Sequence, residues 1–479
     1  YEISLVVEGY QSSGKADVKS MTISINGVPH GGSTGGNPGG GNPGGGWDNG
    51  GGWPGGGWDN GGGNNGGGNN QTSGLPLREL TKKLREKGRE FYIGCAVPSY
   101  FSDADQNIVK TEFDIVTCEN DMKIGTISPN QNQFNFSGGD RIVNFAKQNG
   151  MIVHGHALVW HKYNPWWVDG TKTMMESYIN TVATHFKGNV YAWDVVNEAI
   201  HRDGSFRINA IGTNGQDGAS IFGQKQGKQY IEDAFIAARK ADPYAKLIYN
   251  DYDLMTRDAK FEGVYNMVKD FKERGIPIDG VGFQGHLGPD FTEAQARAFG
   301  EKMQRLAALG VESYVTEMDV GCSDTSQSGL NKQAEVFRWI TEECVKQPYC
   351  RALQVWGIRD SQSWRINPDA PEDRAIAPLI FDDNGQKKPA YYAIQKVLEE
   401  AVNSLENPQN PQNPQIVEGD VNGDGEFNSI DFATARQILL GKLNNPSYQY
   451  WREAFDLNKD GTNDALDFAI MRKRLLGQK

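Results

Sequence analysis

Residues 190–198 read VYAWDVVNE, an apolar run rich in β-branched and aromatic side chains that ends on Asn197 and Glu198. A short run of this kind suits a strand buried on both faces. A carboxylate at the end of such a strand is costly unless it is paired or put to use. The same texture recurs between Leu75 and Val402 in FYIGCAV, FDIVTCEN, MIVHGHALVW, KLIYNDY, GVGFQGH, SYVTEMDV and ALQVWGI. Amphipathic stretches of period 3.6 follow nearly all of them, for instance GDRIVNFAKQNG, QYIEDAFIAARKADP and TEAQARAFGEKMQRLAALG. Strand–helix units repeated in this way predict an α/β fold, an eight-stranded parallel (β/α)8 TIM barrel over residues 75–402. An open doubly wound sheet is the competing architecture. No glycine fingerprint follows the first run, which counts against it.

The flanks differ sharply from this region. Residues 1–29 hold two alternating runs, YEISLVVEG and KSMTISINGV, too little to bury a core alone. They are expected to be the β-rich end of a truncated sandwich, such as a carbohydrate-binding module, or strands that lean on a neighbour. Residues 30–74 are a Gly/Asn-rich flexible linker that includes Trp47, Trp53 and Trp58. Residues 403–416 contain NPQNPQNPQ, a proline-stiffened spacer, and residues 417–479 form a small module with an internal duplication.

With 48 basic and 60 acidic residues the net charge is −12, which argues against a grip on nucleic acid or an anionic membrane. A neutral polymer suits this balance better, and no apolar run is long enough to span a bilayer. The start at Tyr1 without a signal-like segment is expected of a mature or trimmed chain. Cys344 and Cys350 are close enough in sequence for a local disulfide, the expected state in a secreted protein, with all five cysteines reduced as the alternative.

Catalytic groups of such barrels sit at the C-terminal ends of the strands. The fourth run ends in Asn197 and Glu198, and the seventh carries Glu317 near its end. Two carboxylates in one mouth are what glycosidic cleavage requires. Other run ends supply Glu119, Asn120 and Lys123; His156 and Trp160; Gln284 and His286; Trp356 and Trp364. Indole faces stack on sugar rings, and the polar tips read hydroxyls. The acid must be protonated near neutrality, so burial and a nearby anion are expected to raise the Glu198 carboxyl towards ~6.

The motifs ENDMK, HGHALVWH, WDVVNEA, GFQGHLG, VTEMD and VWGIRDSQSW, in this order, resemble glycoside hydrolase family 10, the barrel xylanases. The resemblance covers residues 76–400 and implies a secreted, retaining endo-1,4-β-xylanase. It makes Glu198 the acid/base and Glu317 the nucleophile, their carboxyl groups about 5–5.5 Å apart. Asn197 would bond the 2-hydroxyl, while His286, backed by Asp319, would orient Glu317. Glu119, Asn120 and Lys123 would hold a sugar two subsites away; His156, Trp160, Gln284, Trp356 and Trp364 would wall the central one. Cys344 and Cys350 fall where many members carry a disulfide. The family often has Gln where this chain has Tyr163, which bears on discrimination between xylose and glucose. A β-glucanase or broad cellulase on the same barrel is the alternative, and a non-catalytic glycan-binding scaffold protein a more distant one.

In the terminal module, DVNGDGEFNSID places Asp420, Asn422, Asp424, Glu426 (through its carbonyl), Asn428 and Asp431 at the spacings of a calcium loop. DLNKDGTNDALD repeats the pattern with Asp456, Asn458, Asp460, Thr462, Asp464 and Asp467. Two Ca2+ sites are expected, and no cofactor for catalysis. Both loops end in Asp, and the duplication resembles a type I dockerin, which implies a cohesin partner on a scaffoldin and a place in a cellulosome. Ser429, Ile430, Ala465 and Leu466 would make that contact.

Overall fold

The structure, a computed structural model, describes residues 74–212, 217–366, 374–406, 417–423, 426–443 and 451–477. The expected β fragment, the glycine-rich linker up to residue 73 with its tryptophans, the 407–416 repeat and Asp424 lie outside the described residues.

Each of the apolar runs forms a strand: β1 (Tyr92–Val97), β2 (Ile115–Cys118), β3 (Ile152–Gly155), β4 (Val159–Trp160), β5 (Ala192–Asn197), β6 (Lys246–Asp251), β7 (Gly280–Phe283), β8 (His286–Leu287), β9 (Glu312–Val320) and β10 (Cys350–Val355). β1, β2, β3, β5, β6, β7, β9 and β10 pair in parallel in that order, and β10 returns to β1. The sheet is therefore a closed eight-stranded barrel. Two runs expected as single strands break: MIVHGHALVW into β3 and β4, and GVGFQGH into β7 and β8, where Gly285 takes a φ of +83°. The extra pieces extend the mouth, β4 against β5 and β8 against β9.

Strand periodicity of two sorts the side chains. Val116, Val153, Trp193, Leu247, Val281, Val315 and Leu353 point outward into one large core shared with the surrounding helices. Ile115, Ala192, Ile248, Tyr314 and Ala352 point inward and plug the lower barrel as a second cluster. Two residues further along the same inward face, chemistry changes: Thr117, Asp194, Asn250, Thr316 and Gln354 follow, with His154 above Ile152. All six are buried. They are hydrogen-bonded to one another, Thr117 to Gln354 (2.8 Å), Gln354 to His154 (2.8 Å), His154 to Asp194 (2.9 Å) and Thr316 to Asn250 (2.6 Å). Gly282 makes room for this belt, since a Cβ there would overlap the Asn250 amide and Thr316.

The last barrel helix runs from Pro389 to Glu406, past the expected boundary at Val402, because nothing in AVNSLE breaks it before Pro408. The expected Cys344–Cys350 disulfide is absent: both are fully buried free thiols. Arg89 closes that loop instead, donating to the carbonyls of Cys344, Gln347 and Cys350 at 2.7–3.0 Å. In the terminal module the helices Ser429–Leu439 and Ala465–Leu475 pack around Val421, Ala435, Phe455, Leu457 and Met471, with Phe432 stacked on Phe468 at 4.1 Å.

Candidate active site

The third inward layer, directly above the polar belt, holds the residues singled out from the sequence. Glu198 leaves β5 with a φ of +58°, a left-handed conformation that costs a non-glycine residue free energy. Its backbone is held on three sides. The Glu198 amide donates to the Asn250 carbonyl (2.9 Å), Arg207 Nε donates to the Glu198 carbonyl (2.7 Å), and the next amide, Ala199, donates to the Tyr249 hydroxyl (2.9 Å). This turn aims the carboxylate across the mouth.

Gln284 Nε2 donates to Glu198 Oε1 at 3.1 Å and lies 3.3 Å from Asn197 Oδ1. Asn250 Nδ2 donates to Glu317 Oε1 at 2.7 Å and reaches Asn197 at 3.0 Å. The two carboxylates, from strands that are not neighbours, thus share one amide bridge.

Glu317 Oε2 meets His286 Nε2 at 3.2 Å, and His286 Nδ1 meets Asp319 Oδ2 at 2.9 Å. Asp319 also accepts from Trp364 Nε1 (3.0 Å) and Arg365 (2.7 Å). Burial opposes a charge on His286, but Asp319 and Glu317 outweigh it and lift the imidazole to about 10. A cation therefore faces Glu317 at neutral pH. His156 is fixed by Asp194 (2.8 Å) and lies edge-on to Trp356.

Glu198 departs from expectation. Burial disfavours its ionised form, yet His161, Lys162, Trp160 and Gln284 together lower the carboxyl to about 2. His161, the largest of these lowering influences, is itself pushed down to about 3, chiefly by burial. Beneath Glu198, Asp251 and Lys260 form a fully buried pair (2.6 Å), with the ammonium 3.1 Å from the Tyr252 ring centroid. Burial, only partly offset by Lys260, raises Asp251 to about 6.

One wall is aromatic. Tyr163, 61% exposed and also left-handed, stacks on Trp160 at 5.4 Å, and Lys123 lies over both rings. Lys123 donates to Asn120 (3.0 Å); burial lowers its pKa while Glu317, Glu119 and Glu198 support its charge, so all three carboxylates face the same space. Burial raises Glu119 against the pull of Lys123. Of the residues proposed from the sequence, Asn197, Glu198, Gln284, His286, Glu317, Asp319 and Trp364 are joined by these hydrogen bonds, Lys123, Trp160 and Tyr163 by ring contacts, and His156 to Trp356. Asn250, His161, Lys260, Arg207 and Arg365 were missed: Asn250 read as strand interior, His161 closes the HGHALVWH motif but was given no role, and the others sit in loops or a helix without a motif.

In the terminal module Asp456, Asp460 and Asp467 bring ligand oxygens within 4.8 Å of one another, a hard-oxygen set that fits Ca2+. Asn428 and Asp464 are turned away as helix caps, accepting from the Ile430 and Leu466 amides at 2.8 and 2.7 Å. Asp431 and Asp467 reach back to the Asn428 and Asp464 amides at 2.9 and 3.1 Å, closing capping boxes. Ile430 and Leu466 are exposed.

Residues 80–397 match the model of glycosyl hydrolase family 10, and residues 418–476 that of the dockerin type I domain. Endo-1,4-β-xylanase B of Thermotoga neapolitana is 41% identical over 340 residues, spanning 68% of this chain and 92% of that protein. Native xylanase 10B from Thermotoga maritima superposes with a TM-score of 0.62 at 40% identity, covering 69% of this chain and 100% of that one. The Thermotoga petrophila xylanase 10B, solved with xylobiose, gives a TM-score of 0.62 at 39% identity, covering 69% of this chain and 99% of that one.

Proposed function

Because the chain belongs to glycosyl hydrolase family 10 and carries a type I dockerin domain, we propose that it is an endo-1,4-β-xylanase that cuts internal bonds of xylan by double displacement. The observation that carries this reading is the amide bridge of Asn250, Asn197 and Gln284, which couples Glu317 to Glu198 across the barrel mouth. Glu317, oriented by the imidazolium of His286 and through it by Asp319, attacks the anomeric carbon as the bond to the leaving oxygen breaks, and its charge is lost in the glycosyl ester. Glu198 protonates the leaving oxygen. Asn197 holds the 2-hydroxyl, Glu119, Asn120 and Lys123 bind the sugar two subsites away, and His156, Trp160, Tyr163, Gln284, Trp356 and Trp364 wall the central subsite.

The low pKa of Glu198 in the free protein gives substrate a task. A sugar chain on Trp160 excludes water and comes between the carboxylate and Lys162, so Glu198 takes up its proton as the cleft fills. After the glycosyl-enzyme forms, the same carboxyl must be ionised to activate water, and its environment already favours that state.

An aryl β-xylobioside with an activated leaving group tests these roles. Glu317→Ala abolishes turnover of every substrate, whereas Glu198→Ala is still glycosylated by the activated one. Equal loss in both variants refutes the assignment. A β-glucanase is the second reading, favoured by Tyr163, whose phenol stands where the family often has an amide. Xylan against carboxymethylcellulose separates the two.

For the dockerin domain we infer two bound Ca2+ ions, a cohesin partner and a secreted, cellulosome-attached enzyme. Asp420, Asn422, Asp424, the Glu426 carbonyl and Asp431 would hold one ion, and Asp456, Asn458, Asp460, Thr462 and Asp467 the other. The bound ions neutralise converging carboxylates. Ile430 and Leu466 present apolar surface beside the loops. No helix among the described residues is long and apolar enough to cross a membrane.

A further inference from the structure

We propose that the outer rim beside β1 and β2 carries a second, non-catalytic groove for a neutral glycan, with Tyr100 as its stacking platform. Tyr100 lies in the loop between β1 and the helix Asp103–Glu112, and its side chain is 85% exposed. A single exposed ring is ordinary on a protein surface; Tyr100 is set apart by bordering a cavity, which the similarly exposed Tyr244 does not line. The neighbouring Phe101 is 7% exposed and packs edge-on against Phe145 at 5.2 Å, so the loop that presents the phenol is anchored.

A cavity of about 670 Å3 opens between this loop and the helix Ser137–Gln148. Ser137, Arg141, Asn144 and Gln148 form one face of that helix and line the cavity. Its charges are already matched: Arg141 pairs with Asp121 at 3.2 Å, and Asp140 with His185 at 2.7 Å. Among the described residues, the amides of Asn144 and Gln148 make no protein hydrogen bond. An exposed ring opposite open amides, with no uncommitted charge, is chemistry for a flat-faced, hydroxyl-rich, uncharged ligand.

The loop that carries Tyr100 is hydrogen-bonded to the rim of the cleft. Ser99 Oγ donates to Asp121 Oδ1 at 2.9 Å, and Arg141 bonds both Asp121 and the Ser99 carbonyl. Asp121 directly follows Asn120, so the platform is tied to the loop proposed to hold the more distant sugar. The occupant inferred is therefore a xylan segment, an assignment that rests on the xylanase reading.

The test compares the full-length chain with Tyr100→Ala and, separately, Asn144→Ala with Gln148→Ala. Turnover of an aryl β-xylobioside, which reaches only the cleft, should be unchanged in each. Retardation in native gels containing soluble xylan should weaken roughly three- to tenfold, the scale of one lost stacking contact. Unchanged retardation in Tyr100→Ala overturns the proposal. A parallel fall in xylobioside turnover also overturns it, because Tyr100 then serves the cleft or the fold. Retardation that depends on Tyr100 in β-1,4-glucan gels but not in xylan gels overturns the assigned occupant. Failure of the xylanase reading would show separately, as no xylobioside turnover by the unaltered chain.

Discussion

Replacing Lys260 by Met tests how much of the site's foundation is electrostatic. Lys260 and Asp251 are both fully buried and 2.6 Å apart, so removing the ammonium leaves a carboxylate with no water to turn to. Breaking a buried pair in this way costs about 3–5 kcal/mol. At roughly 2 °C per kcal/mol for a domain of this size, the unfolding midpoint at pH 8 should fall by about 6–10 °C. The cost depends on pH. Asp251 already titrates at about 6 with its partner present, and loss of Lys260 can only push it higher. An acid whose folded pKa lies above its unfolded value loses stability as pH rises between the two, since the unfolded chain gives up the proton first. The deficit should therefore shrink at pH 5, where Asp251 is close to neutral. Unfolding followed by tryptophan fluorescence at both pH values reads this directly. Lys260→Met combined with Asp251→Asn, which removes the stranded charge while retaining an amide, should recover most of the loss at pH 8. A deficit below about 1 kcal/mol, or one equal at pH 5 and pH 8, would refute the reasoning.

Other outcomes follow from the same geometry. Lys162→Ala removes a cation that lowers Glu198 in the free protein, so the Glu198 carboxyl should titrate at higher pH in a carboxyl NMR titration of the unliganded chain; a value that stays put or moves down counts against Lys162 as a cause of the shift. His286 is raised to about 10 by Asp319 and Glu317 against its burial, so its contribution to stability is complete below its unfolded value near 6.5 and is lost as pH rises through about 10. His286→Gln should flatten that alkaline loss in a denaturation series. Tyr163→Gln should change the xylobioside-to-cellobioside ratio of kcat/KM by roughly 1–3 kcal/mol in equivalent free energy, and an unchanged ratio would mean the ring does not meet the sugar. Chelation, or Asp456→Ala with Asp420→Ala, should abolish cohesin binding while leaving xylan hydrolysis intact, as surface-plasmon and reducing-sugar assays would report.

The barrel and the rim of the site were legible in the sequence because both rest on short-range signals. Runs such as YAWDVVNE announce buried strands, and polar residues at their ends stand out against them. The belt below was not legible. Asn250 and Gln354 sit inside apolar runs, and only closure of the barrel reveals that their inward direction coincides with that of His154 and Asp194. The sign of the Glu198 shift was missed for a related reason. It depends on His161, Lys162 and Trp160, which reach the carboxylate only because β4 pairs with β5. The Cys344–Cys350 pairing was read from spacing, and nothing in the local sequence shows that Arg89, some 255 residues away, closes the loop.

The belt also bears on how this enzyme can change. Its members come from six different strands and satisfy one another through directional bonds, so altering one orphans a partner on another strand. Single substitutions there should be rejected together, and even a paired change at Thr117 and Gln354 leaves His154 without its Gln354 partner. Libraries built to alter specificity would accordingly yield little from the strand interiors. They would yield most from the loop carrying Lys162 and Tyr163, where side chains reach the cleft without being written into the barrel's internal grammar.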